Sequence, residues 1–156
     1  PDAVLLSVGG GGLLCGVLEG LHKNGMADVP VLAVETEGAA SLGASLAAGR
    51  HLELERIASV ATSLGAKKVA ARAWQWCTRH EITSYLVSDL DAVNGCLRFA
   101  ADHRVLVEPA CGASLAAVYG QHPLLQGNKR ILLVVCGGVG ISYEQLLKWK
   151  HDLERT

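Results

Sequence analysis

Four consecutive glycines, Gly9 to Gly12, separate a short apolar run at residues 3–8 from a segment in which Leu13, Leu14, Val17, Leu18 and Leu21 recur at helical spacing. A short apolar run ended by glycine reads as a buried strand, and the spaced leucines and valine as the inner face of a helix. Gly25 supplies the stop for that helix. A second apolar run, residues 30–34, ends at Glu35. Strand, glycine loop, helix, strand is the opening half of a doubly wound parallel sheet. Whatever follows must therefore add strands beside these two and helices over both faces.

The rest of the chain supplies them. Residues 39–48 read as an alanine-rich helix closed by Gly49. Residues 67–79 have helical composition, opened by Lys67-Lys68, with Val69, Ala73 and Trp76 on one face. A short strand at 85–87 leads to a helix capped by Ser88 or Asp89 and carrying Val93, Leu97 and Ala100. Glu108-Pro109-Ala110 starts a helix that runs to about Tyr119, since proline suits the first turn and a carboxylate there favours the dipole. A polar loop over 121–130 precedes the most strand-like run, 131–135, which Cys136-Gly137-Gly138 ends. A last helix, 142–153, carries Leu146, Leu147 and Trp149. The expected fold class is α/β: an open, mostly parallel twisted sheet with helices on both faces, residues 1–156 forming a single unit.

Half of the residues are apolar and the net charge is −1, from 14 basic and 15 acidic side chains, which excludes a disordered chain. The same balance argues against a nucleic-acid surface or a polybasic membrane patch. No apolar run approaches the length of a bilayer span. The five cysteines (Cys15, Cys77, Cys96, Cys111, Cys136) form neither a CxxC pair nor a metal-ligand spacing, and point to reduced thiols in a cytoplasmic setting. A start at Pro1-Asp2-Ala3, running straight into a strand, reads as cut from a longer chain.

Consecutive glycines let successive backbone N–H groups turn into one concavity, with a helix amino terminus behind them, and that is a phosphate site. The dinucleotide fingerprint fails in register, because its third glycine would fall on Leu14 or Cys15, and no Gly-Lys-Ser/Thr follows for a Walker loop. A tight crossover needs fewer glycines than four, so phosphate binding is the stronger reading. Cys136-Gly137-Gly138 ends the last strand, and ligands of open parallel sheets sit beyond the carboxyl ends of strands. Cys136 is either a neutral hydrogen-bonding partner for a ligand nitrogen or a small buried apolar residue. Glu35 suits a ribose hydroxyl or, with nearby carbonyls, a cation, whereas Glu108 suits the dipole of its own helix. The six histidines lie in polar contexts and read as solvated. Lys67-Lys68 reads as a solvated face, and the tryptophans as helix packing.

Taken in order, Ser7-Val8-Gly9-Gly10-Gly11-Gly12-Leu13, Val34-Glu35-Thr36, Ser59-Val60-Ala61 with Leu64-Gly65-Ala66, Leu106-Val107-Glu108-Pro109-Ala110-Cys111-Gly112-Ala113 and Val134-Val135-Cys136-Gly137-Gly138 resemble the carboxyl-terminal half of L-serine dehydratase and the serine dehydratase-like enzymes. These are fold-type II pyridoxal-phosphate enzymes, and the resemblance covers essentially the whole chain. It implies a lyase of amino-acid metabolism, an L-serine or L-threonine ammonia-lyase that yields pyruvate or 2-oxobutanoate and ammonia by β-elimination. Gly9, Gly10, Gly11, Gly12 and Leu13 would hold the phosphate of pyridoxal 5'-phosphate. Cys136, with Gly137, would face its pyridine nitrogen. Glu35, with carbonyls of Ala39, Leu64 and Ala66, would hold potassium or another monovalent cation. A cytoplasmic homodimer is also implied.

Two departures bear on this reading. The family's Schiff-base lysine and its substrate-carboxylate loop belong to an amino-terminal half absent from these residues, so this segment by itself is expected to be inactive. Val139 and Gly140 follow the glycines where relatives usually carry a polar residue or two. Two other classes stay open: a nucleotide-binding Rossmann module with Glu35 on a ribose, and a truncated non-catalytic module for binding or dimerisation.

Overall fold

The computed structural model describes residues 1–127 and 130–155. β1 (Ala3–Ser7) and β2 (Val31–Thr36) pair in parallel, with Val4 opposite Val31 and Ser7 opposite Val34. β3 (Ile82–Val87) joins β2 on its outer side, Val31 facing Ile82, and β4 (Ile131–Leu133) joins β1, Val4 facing Leu132. The order is β3-β2-β1-β4, every pair parallel. The chain thus winds outward from β1 to β3 and returns to the far side of β1. The order reverses between β1 and β4, and in such sheets the crevice beyond the carboxyl ends at that point receives the ligand. Every residue of β1 and β2 is buried, as continuous apolar runs covered on both faces should be.

Among the described residues six helices cover the sheet: α1 (Gly12–Lys23), α2 (Ser41–Ala48), α3 (Ala71–Trp76), α4 (Asp89–His103), α5 (Pro109–Tyr119) and α6 (Tyr143–Leu153). Strand alternation decides which face each meets. Val4, Leu6, Val31 and Ala33 pack with Leu14, Leu18 and Leu21 of α1, Leu42 of α2 and Ala73 of α3. Leu5, Leu32 and Val34 pack with Ala92 of α4 and Ala110, Ala113 and Ala117 of α5. Behind that layer, Leu146 of α6 sits among Val93, Cys96, Cys111 and Leu115. α4 and α5 touch backbone to backbone. A Cβ on Gly112 would lie 2.0 Å from the Ala92 carbonyl oxygen, and one on Gly95 2.6 Å from that of Gly112.

The helix ends follow the sequence. Gly25, at φ 70°, lets its own N–H reach the His22 carbonyl (3.3 Å) and that of Met26 reach Leu21 (2.9 Å), a Schellman closure of α1. Ser88 caps α4 by accepting the Asp91 N–H (3.0 Å), and Ser142 caps α6 by accepting that of Gln145 (3.1 Å). Other expectations are revised. The helix expected over 67–79 contracts to Ala71–Trp76, because the Ala70 N–H donates to the Gly10 carbonyl (2.9 Å) and Lys67 Nζ to the Glu55 carbonyl (2.9 Å). The backbone before Ala71 is thereby committed to loops. β3 starts at Ile82, earlier than expected, since its ladder with β2 begins there. Within the run 131–135 the ladder stops at Leu133. Leu147 is 46% exposed while Leu146 is fully buried. His80 is buried, not solvated: one ring nitrogen lies 2.8 Å from the Val29 carbonyl and the other 3.1 Å from His22 Nε2. In the loop over 121–130, Pro123–Leu125 form a 3-10 turn, and residues 128 and 129 lie outside the described residues.

Candidate functional site

The four glycines leave the carboxyl end of β1 under two different constraints. Gly9 and Gly11 are demanded by packing. A Cβ on Gly9 would fall 2.9 Å from the Ser63 carbonyl oxygen. One on Gly11, which sits at φ 85°, would fall 2.6 Å from Ala73 Cβ and 2.8 Å from Val69 Cγ2. A Cβ on Gly12 would meet nothing within 4 Å, and one on Gly10 only Ala66 Cβ at 4.0 Å. The crossover thus accounts for two glycines and leaves two whose bareness serves open space. Gly11 caps α1 without a side-chain hydrogen bond, so the first-turn N–H groups and the positive end of the helix dipole face that space.

The space is a cleft of about 210 Å³ at the β1/β4 reversal. Ser7, the glycine loop, Leu13, Ser63 and Leu64 form one side, and Glu108, Ala110, Cys111 and Cys136 the other. The glycine loop and Cys136, far apart in sequence, therefore share one wall-to-wall site. The segment after β4 is fastened to the start of α5. The Cys136 N–H donates to Cys111 Sγ (3.3 Å), Cys111 Sγ–H donates to the Gly137 carbonyl (3.4 Å), and the Glu108 N–H donates to that carbonyl as well (3.1 Å). Gly138 lies so close that a Cβ there would be 2.6 Å from Val107 Cα. Gly137, at φ 146°, turns the segment and accepts these bonds, while Cys136 itself lines the cleft. Cys136 is exposed, so it is not the small buried residue that the sequence allowed. The partial desolvation it meets still raises its thiol above the usual range, with the neighbouring Cys111 and Glu108 adding to the effect. A neutral S–H can hydrogen-bond a ring nitrogen without compelling it to carry a proton. Cys111 escaped the sequence reading as a site residue, though its place in the first turn after Glu108-Pro109 already put it beside the strand ends.

Glu35 is fully buried and points to α2. Its Oε1 accepts the Leu42 N–H (2.9 Å) and its Oε2 the Gly43 N–H (2.7 Å). Burial pushes its carboxyl up to about 7, against the pull of the two N–H bonds toward the charged form. Ala39 and Leu64 belong to the core on the other sheet face, and the Leu64 carbonyl accepts the Ala66 N–H (2.7 Å). Among the described residues, no group of three or more His, Cys, Asp or Glu side chains is arranged to hold a metal ion.

A parallel sheet with a bare helix amino terminus and a thiol in one cleft at its carboxyl edge is the architecture of an α/β ligand-binding module. Residues 1–137 match the family of pyridoxal-phosphate dependent enzymes, and the chain belongs to that family. Among its relatives, human L-serine dehydratase/L-threonine deaminase is 48% identical over 164 residues, covering 100% of this chain and 50% of that protein. The rat serine dehydratase-like protein is 50% identical over 161 residues, covering 98% and 49%. A fungal L-serine ammonia-lyase from Rhizomucor miehei superposes with a TM-score of 0.91 at 36% identity, covering 97% of this chain and 50% of that one. The chain spans about half the length of the curated relatives it matches.

Proposed function

We propose that these residues are the carboxyl-terminal half of a pyridoxal-phosphate-dependent ammonia-lyase acting on L-serine, L-threonine or both. The observation that carries the reading is the meeting of the glycine cradle and the Cys136 thiol in one cleft at the sheet's reversal. The residues fit the group. Gly10 and Gly12 leave room that a Cβ would fill, and the cleft's opposite wall offers a neutral thiol. When bound, pyridoxal phosphate supplies the electron sink for removing an amino acid's α-proton and expelling its β-hydroxyl. The N–H groups of Gly12 and Leu13 would bind and orient the phosphate, with Gly9 and Gly11 holding the loop in place. Cys136 would hold its proton toward the ring nitrogen, a neutral partner that would leave the ring a weaker electron sink and so favour elimination over transamination.

No lysine among the described residues lines the cleft, so the reading assigns the Schiff-base lysine to an amino-terminal half. The cation reading keeps the carbonyls of Ala39, Leu64 and Ala66 and asks Glu35 to share its carboxylate with α2. A cytoplasmic homodimer completes the proposal. The test is to titrate the native protein with pyridoxal phosphate by absorbance and then to assay pyruvate and ammonia release from L-serine. Saturable binding with turnover supports the lyase. Binding without turnover would return the chain to a non-catalytic module, and preference for a nicotinamide nucleotide would return it to the Rossmann reading.

A further inference from the structure

We infer that Asp89, acting through Ser59 and Thr36, is a positioning residue that holds one wall of the phosphate cradle, an inference that rests on the proposed cofactor site. From residue 50 to residue 70 the chain has no regular structure except the 3-10 turn Thr62–Leu64. Yet Ser63 and Leu64 line the cleft and abut Gly9 so closely that a Cβ there would lie 3.0 Å from Leu64 Cα. A wall made of loop needs anchors outside itself. Three backbone N–H groups provide some of them: that of Leu52 donates to Ser45 Oγ (3.1 Å), that of Ala58 to the Gly38 carbonyl (2.9 Å) and that of Ala70 to the Gly10 carbonyl (2.9 Å).

The anchor nearest Ser63 and Leu64 in sequence is a polar cluster at the carboxyl ends of β2 and β3. Asp89, the first residue of α4, accepts Ser59 Oγ–H at Oδ1 (2.6 Å) and the Val60 N–H at Oδ2 (2.9 Å). Ser59 Oγ has one proton, and a carboxylate can only accept, so Thr36 Oγ1 is the donor across its 2.8 Å contact with Ser59. Ser59 Oγ also accepts the Ala61 N–H (3.0 Å). The hydroxyl thus gives one hydrogen bond and takes two. Thr36 is fully buried at the end of β2, so the cluster is tied to the sheet at one end and to a helix amino terminus at the other. A carboxylate in that first turn lies favourably toward the helix dipole, and its hydrogen bonds are charge-assisted. The loop is therefore pinned at the ends of the two strands next in line after β1 and laid across to the cradle.

The experiment compares Asp89→Asn with wild type in the native protein by two readouts. Without cofactor, hydrogen exchange of the peptide containing Gly9–Gly12 should quicken together with that of residues 59–66. In equilibrium titration, affinity for pyridoxal phosphate should fall about tenfold, the scale of one hydrogen bond to a charged group. Affinity for pyridoxal, which lacks the phosphate, should hold. Ser59→Thr, which keeps the hydroxyl, should behave as wild type, and Thr36→Val should give a milder version of the Asp89→Asn pattern if that variant folds poorly. Exchange that quickens only in residues 59–66, or equal losses for pyridoxal phosphate and pyridoxal, would overturn the inference. A wild-type protein that binds no pyridoxal phosphate would defeat the proposed function, while the exchange comparison would still decide whether Asp89 governs the glycine loop.

Discussion

Gly11 and Gly12 are neighbours with opposite tolerances. A side chain on Gly11 meets Ala73 and Val69 in a backbone conformation that resists any Cβ, so an aspartate there should fail to fold as well as repel a phosphate. Gly12 has free space and stands at the first position of α1, where a carboxylate suits the dipole. Gly12→Asp in the native protein should keep its melting temperature and lose bound pyridoxal phosphate. Retention of the cofactor by that variant would remove the phosphate assignment. Cys136→Ala should keep cofactor and lower turnover, and unchanged kinetics would reduce Cys136 to packing. The sequence announces four glycines, but which two serve packing depends on Ala73 and Ser63, residues brought in from another helix and another loop.

At the scale of elements, the partner of Glu35 is set by the fold and not by its own segment. A carboxylate at the end of β2 reads as a ribose or cation ligand, while its contact with α2 arises only once the chain turns back at Ser41. The consequence is a pH dependence. Below pH 4.5 Glu35 is protonated in both states. From there to about 7 the folded chain keeps a proton that the unfolded chain has released, so stability falls as pH rises through this window. The loss above pH 7 should be about 3 kcal/mol. Urea unfolding of the native protein at pH 5 and pH 8 checks it, and Glu35→Gln should flatten the difference. A cation held beside Glu35 would add a potassium-dependent rise in stability at pH 8 that vanishes at pH 5. Helix starts such as Ser88 and Ser142 were legible because capping is local. The α4–α5 contact was not, since nothing in the spacing of Gly95 and Gly112 announces that they meet. Gly112→Ala should lower stability by about 3 kcal/mol, read from the shift in thermal midpoint, because the Ala92 carbonyl stands where the methyl must go.

Across the whole molecule, the sheet is finished on its helix-covered faces and unfinished at its side. The run at 131–135 is as apolar as β1, and composition alone does not tell a central strand from an edge. Topology makes β4 an edge, with Ile131 36% and Leu132 50% exposed. An apolar edge strand is a template for another strand. The 156-residue chain should therefore associate with rising concentration in sedimentation experiments, and Leu132→Lys should suppress it. The open edge also adjoins the cleft, because Cys136 comes three residues after β4 ends at Leu133. Anything that pairs with β4 steadies the segment carrying Cys136, and a ligand held by Cys136 must strengthen that pairing by the same free energy. If β4 pairs with another strand and Cys136 holds a ligand, assembly and ligand retention become a single coupled equilibrium, in which ligand loss would loosen the assembly and dilution of the assembly would drain the ligand.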